Sequence, residues 1–102
     1  MKLPNAERAV VERDKVISYL LNAEHPAGAH KARFFLAFGF RAEHWAVLAE
    51  ALRQHGLCCE VSKMKETGFG PRFELDGTLD TPSGGRPRVR TVWQFDRGTD
   101  AP

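Results

Sequence analysis

The apolar residues of this chain change their period once, near Gly56, and that change restricts the fold more than any motif does. Before it, Val16, Ile17, Leu20 and Leu21, and later Trp45, Leu48, Ala49 and Leu52, recur at spacings of three and four, as on one face of a helix. After it, short runs alternate apolar and polar side chains and are separated by GFGP and TPSGGRP, the pattern of antiparallel strands joined by turns. The spacing predicts helices over Asp14–Leu21, His30–Phe38 and Arg41–His55, then strands over Leu57–Met64, Arg72–Leu79 and Arg88–Phe95. The expected fold is therefore α+β: three N-terminal helices packed on a small C-terminal antiparallel sheet of three strands, or four.

The punctuation is specific. Pro4 and Asn5 mark a turn inside an extended lead over residues 1–12. Pro26 pushes His25 towards an extended conformation, so this histidine belongs to a loop, and Gly28 grants the backbone whatever angle the turn needs. Gly39 followed by apolar Phe40 matches the glycine cap with its hydrophobic contact that ends many helices, and Gly56 is the expected stop of the third. In the last strand Val89, Thr91, Trp93 and Phe95 share one face, while Arg88, Arg90, Val92 and Gln94 share the other. The aromatic face is the one expected to pack on the helices, with Trp45 and Trp93 in the core, and residues 98–102 read as a polar tail.

A length of 102 residues suits one domain over residues 1–102. With 42% hydrophobic and 27% charged residues the composition is that of a folded chain. A formal charge of +2 is too small for a surface that grips nucleic acid everywhere, so polyanion binding needs a local patch. Neither a signal-length apolar run nor a membrane-length one occurs, which predicts a soluble, cytoplasmic protein with no membrane partner. Cys58 and Cys59 are adjacent, a poor geometry for an intrachain bridge, and are expected as reduced thiols with one buried.

The chemistry gathers in HPAGAHKARFF. His25, His30, Lys31 and Arg33 surround the start of a short apolar helix, where the positive end of the helix dipole favours anions and disfavours cations. Such a cluster suits a phosphate. Cleaving RNA without metal needs a base for the ribose 2′-hydroxyl, an acid for the 5′-oxygen and a cation for the charge building on phosphorus. His25 and His30 are candidates for the acid and base, and Lys31 and Arg90 for the cations, with Arg33, Gly28, Thr91 and Trp93 expected to contact substrate. Arg90 has a second reading, a cross-strand ion pair with Glu74 or Asp76. His44 and His55 are expected to be exposed. The spacing of histidines and cysteines matches no zinc motif, so neither metal nor cofactor is expected.

The succession LPNAERAVV, YLLN, HPAGAHKARFF, GF and VRTVW resembles a family of small bacterial domains of unknown function, found alone or at the ends of toxin-like and phage-associated proteins. The likeness runs from Leu3 to about Phe95, and the matching polar positions are His25, Gly28, Lys31, Arg90 and Trp93. Relatives continue past Asp100–Pro102 into another strand-like segment, and the sequence here ends at that point. The order of elements also resembles the fold shared by barnase, EndoU, colicin and RelE ribonucleases. What the resemblance implies is a metal-independent endoribonuclease toxin acting on RNA, with a cognate antitoxin or immunity protein, or a second copy of the chain, as partner. The alternative is a non-enzymatic binding module, antitoxin-like or immunity-like, that offers a sheet edge or an apolar helix to another chain.

Overall fold

A computed structural model describes residues 1–95, so the expected polar tail lies outside the described residues. The architecture is α+β, with helices in the first half followed by a three-stranded antiparallel sheet. The chain falls into two compact units, one of Val11–Ala51 with Asp80–Arg86, the other of Met1–Val10, Leu52–Leu79 and the chain from Pro87 on.

In the helical unit, α1 (Arg13–Lys15) runs directly into a π-helical turn, Val16–Leu20, closed by Leu21 N–H donating to Val16 O at 2.8 Å. That wider turn aligns residues four and five apart. Val16, Leu20 and Leu21 accordingly share the buried side. The second helix, α2 (Ala29–Ala37), buries Ala32 and Phe35 and packs on the π turn. It ends as the sequence predicts. Gly39 adopts φ 97°, Gly39 N–H reaches Leu36 O at 3.1 Å, and Phe40 N–H reaches Phe35 O at 3.2 Å. These paired bonds form a Schellman cap, with Phe40 stacked edge-on to Phe35 at 5.9 Å. TPSGGRP does more than join strands: Ser83 N–H donates to Phe38 O at 3.1 Å, so the segment also satisfies a carbonyl at the end of α2.

After a 3-10 turn at Ala42–His44, the third helix, α3 (Trp45–Cys58), runs through Gly56 instead of stopping there. The reason is packing in the sheet unit. A Cβ on Gly56 would lie 2.8 Å from Cζ2 of buried Trp93, so glycine lets the helix approach the indole. The expected stop was a close-approach site. Gly56→Ala should gain about 1 kcal/mol of helix propensity but lose about 1–3 kcal/mol to overpacking. A net loss is expected in a urea titration; a gain would show that Trp93 moves aside without cost.

Because α3 extends to Cys58, the first strand starts later than its sequence suggests: β1 is Val61–Thr67, followed by β2 (Gly70–Thr78) and β3 (Arg88–Gln94), ordered β1-β2-β3. The β1–β2 hairpin turns through Gly68 and Phe69, with Gly70 at φ 129°. Register sorts the side chains. Phe73 faces Trp93 and Leu75 faces Thr91 on the inner side, while Lys65 faces Arg72, Glu74 faces Val92 and Asp76 faces Arg90 on the outer side. Phe73, Leu75, Trp93 and Phe95 are buried, with Phe73 and Phe95 edge-on at 5.4 Å. The N-terminal lead is not simply extended: Asn5 takes a left-handed conformation at φ 52°, a 3-10 turn forms at Ala6–Arg8, and Leu3, Ala6 and Ala9 are buried. Among the described residues no helix is long and apolar enough to cross a membrane.

Candidate functional site

The loop before α2 is organised by His25. Its Nδ1 accepts from Ala27 N–H at 3.0 Å and Gly28 N–H at 3.1 Å, so the imidazole ties down the turn that leads into the helix. Backbone N–H groups only donate, so Nδ1 carries a lone pair and the proton of the neutral ring sits on Nε2. The ring stands edge-on to Tyr19 at 4.8 Å. Gly28 is buried beneath the same tyrosine, where a Cβ would come within 3.1 Å of Tyr19 O and Cε2. Its φ of −108° is open to any residue, so closeness to Tyr19, not backbone freedom, is what calls for glycine.

Lys31, on the first turn of α2, donates from Nζ to Tyr19 Oη at 3.3 Å and lies 5.2 Å from the ring centroid. Tyr19 thus joins the predicted cluster, and sequence reasoning missed it because it belongs to the preceding helical segment. His30 Nδ1 accepts from Arg33 Nη2 at 3.2 Å, since a guanidinium has only donors to offer. No carboxylate among the described residues pairs with Lys31 or Arg33. His25, Gly28, His30, Lys31 and Arg33 all belong to the helical unit. His30, Lys31 and Arg33 are exposed and His25 is half-buried, so the groups this segment has to offer are mainly donors, the Nε2–H groups, an ammonium and a guanidinium, with the Tyr19 phenol among them. Such a set suits a phosphate better than it suits proton exchange between two imidazoles, because both Nδ1 lone pairs are engaged.

Arg90, Thr91 and Trp93 belong to the sheet unit. Arg90 adopts the cross-strand arrangement: its Nε donates to Asp76 Oδ1 at 2.8 Å, Nη2 to Asp76 Oδ2 at 3.3 Å, and Nη1 lies 3.4 Å from Glu74 Oε1. The bond from Arg90, aided by Ser62, holds the Asp76 carboxyl below its usual range, and the same pairing raises Arg90. A carboxylate with a lowered folded-state pKa contributes stability above its unfolded value and loses it as pH falls through the folded one. Wild type and Asp76→Asn should therefore differ at neutral pH and converge below the ordinary aspartate range, about pH 3.9, in melts recorded across pH. The difference should be small and salt-sensitive because the pair is exposed.

Thr91 and Trp93 point inward. Thr91 Oγ1 accepts from Trp93 Nε1 at 2.9 Å and lies 2.9 Å from His55 Nδ1. His55, expected to be exposed, is 3% exposed, with Nε2 at 3.3 Å from Gly77 O and 3.2 Å from Val89 O. Its signal was present in the sequence: His55 continues the buried stripe of Leu48 and Leu52. His44 is exposed, as expected. Both cysteines are free; Cys58 is exposed at the end of α3, and half-buried Cys59 has its thiol pushed up by burial and then by Cys58. That is the opposite of an activated nucleophile. No group of three His, Cys, Asp or Glu side chains suited to a metal ion is found among the described residues.

An α+β chain with a basic helix start is thus the class that fold and site define. Residues 2–102 match the model of a family described as a domain of unknown function, DUF6883, and the chain belongs to that family. No curated protein and no solved structure matches it.

Proposed function

We propose that the domain is a metal-independent endoribonuclease of the toxin type, with its phosphate site at the start of α2. The observation that carries this reading is the contact of Lys31 Nζ with Tyr19 Oη at 3.3 Å, beside His25 and with no carboxylate among the described residues to neutralise the lysine. The Tyr19 hydroxyl oxygen accepts from the Lys31 ammonium, which leaves its own hydrogen to be given to the departing 5′-oxygen while Lys31 offsets the negative charge building on phosphorus. Arg33 turning to a phosphate oxygen releases the Nδ1 lone pair of His30, which takes the 2′-hydroxyl proton. The bond from 2′-oxygen to phosphorus forms, the bond from phosphorus to 5′-oxygen breaks, and a 2′,3′-cyclic phosphate and a 5′-hydroxyl result. His25 is a positioning residue here, and Arg90, occupied by two carboxylates, has no part.

The test is incubation of purified protein with total RNA and a chelator. Cleavage leaving cyclic-phosphate ends is expected; intact RNA over a range of pH would remove the enzyme. A second reading, a non-catalytic partner module, is favoured by β3, whose outer edge carries no strand among the described residues. Co-purification of a stable complex with a neighbouring gene product, together with indifference to RNA, would decide for it.

A further inference from the structure

The outer face of the sheet is polar and carries unbalanced positive charge. Register places Lys63 and Lys65 of β1, Arg72, Glu74 and Asp76 of β2, and Arg88 and Arg90 of β3 on this side, with half-exposed Val92 among them. The two carboxylates are both engaged by Arg90. Among the described residues no carboxylate lies within ion-pair distance of Lys63, Lys65, Arg72 or Arg88, and all four side chains are exposed. A formal charge of only +2 over the whole chain makes this a concentrated patch.

A second observation lies at the end of the same strands. Phe69, at the tip of the β1–β2 hairpin, is 78% exposed, an aromatic ring with its faces open to solvent. Cations that follow a backbone and a ring on which a base can stack are the two elements of single-strand binding. Lys63 and Lys65 stand about 7 Å apart along their strand, a spacing that successive phosphates of an extended strand can match. An acidic protein would satisfy the charges but leave Phe69 without a purpose. A membrane surface would need an apolar belt that this face lacks.

We infer that the outer sheet face, with Phe69 at its end, binds single-stranded RNA through Lys63, Lys65, Arg72 and Arg88. The choice of RNA over DNA rests on the cleavage reading; the binding itself does not. Affinity is measured by fluorescence anisotropy with a labelled oligouridylate, in parallel with a matched oligothymidylate and with polyglutamate as competitor, over a range of salt. Combined K63E, K65E and R72E substitutions should weaken RNA binding by about 10-fold or more and flatten its dependence on salt, and Phe69→Ala should weaken it roughly 5-fold or more. The milder set K63Q, K65Q and R72Q, with circular dichroism to confirm the fold, should show the same trend to a lesser degree. Binding within about twofold of wild type in the folded sheet variants, equal affinity for the thymidylate, or full displacement by polyglutamate would each overturn the inference. Lys31→Ala separates the two readings: unchanged cleavage in that variant removes the start of α2 as the cleavage site and leaves the binding result standing.

Discussion

Lys31→Ala is expected to lower RNA cleavage by about 10²–10³-fold, the usual loss when one fixed charge-stabilising group is removed from a transition state. The side chain is exposed and touches the hydroxyl and ring of Tyr19, so the substitution should change stability by no more than about 0.5 kcal/mol. Loss of cleavage with an unchanged melt is the signature of a chemical role. Tyr19→Phe refines the test. It keeps the ring that packs against His25 and over Gly28, and removes only the oxygen that Lys31 contacts. If Tyr19→Phe cleaves as wild type while Lys31→Ala does not, the lysine clamps phosphate and the phenol is a bystander. If both cleave as wild type, the start of α2 is not the site.

His25 needs a different variant because it has a structural duty. Alanine would leave the Ala27 and Gly28 N–H groups without their acceptor and loosen the turn that delivers Lys31. Asparagine, a short acceptor favoured in such turns, separates the two effects: a positioning role predicts partial retention of cleavage, and a proton-transfer role predicts none.

What was legible in the chain was whatever local chemistry decides. Gly39 with Phe40 announced the end of α2, and the alternation in VRTVWQF announced which side chains of β3 turn inward, because caps and pleats are set by residues a few positions apart. The failures share a cause. Gly56 looks like a helix stop until Trp93 is brought against it, and a glycine used for close approach has the same local signature as one used for a cap. Once the helix runs on to Cys58, the start of β1 shifts with it, so one misjudged glycine displaced the next element too. The candidate site was half legible. HPAGAHKAR named the cations and histidines, but not that each Nδ1 would be engaged, nor that Tyr19 from the preceding segment would stand beside Lys31. Arg90 had two sequence readings, and the choice between them depended on strand register, which puts Asp76 directly opposite.

His55 is the furthest departure from expectation, and its replacement by alanine should cost about 3 kcal/mol, a large share of the roughly 5–15 kcal/mol available to a small domain. The proton assignments follow from the partners. Trp93 Nε1 only donates, so Thr91 Oγ1 accepts from it and turns its own hydrogen towards His55 Nδ1, while Nε2–H is shared by Gly77 O and Val89 O. Gly77 and Val89 are directly opposite on β2 and β3, so the imidazole on α3 joins the helix to both strands. Truncation leaves a void and strands a hydroxyl and carbonyls in a buried place, where each unsatisfied group costs about 1–3 kcal/mol, with sharing and water entry lowering the sum. His55→Leu fills the void without restoring any bond, and so should remain well below wild type in a urea titration. Thr91→Val breaks the same chain at its other link. In a double-mutant cycle with His55→Ala the two should fall short of additivity by about 1 kcal/mol or more. Additive losses, or a leucine variant as stable as wild type, would mean that shape alone holds this part of the core and that the hydrogen-bonded chain from Trp93 to the strand carbonyls is incidental.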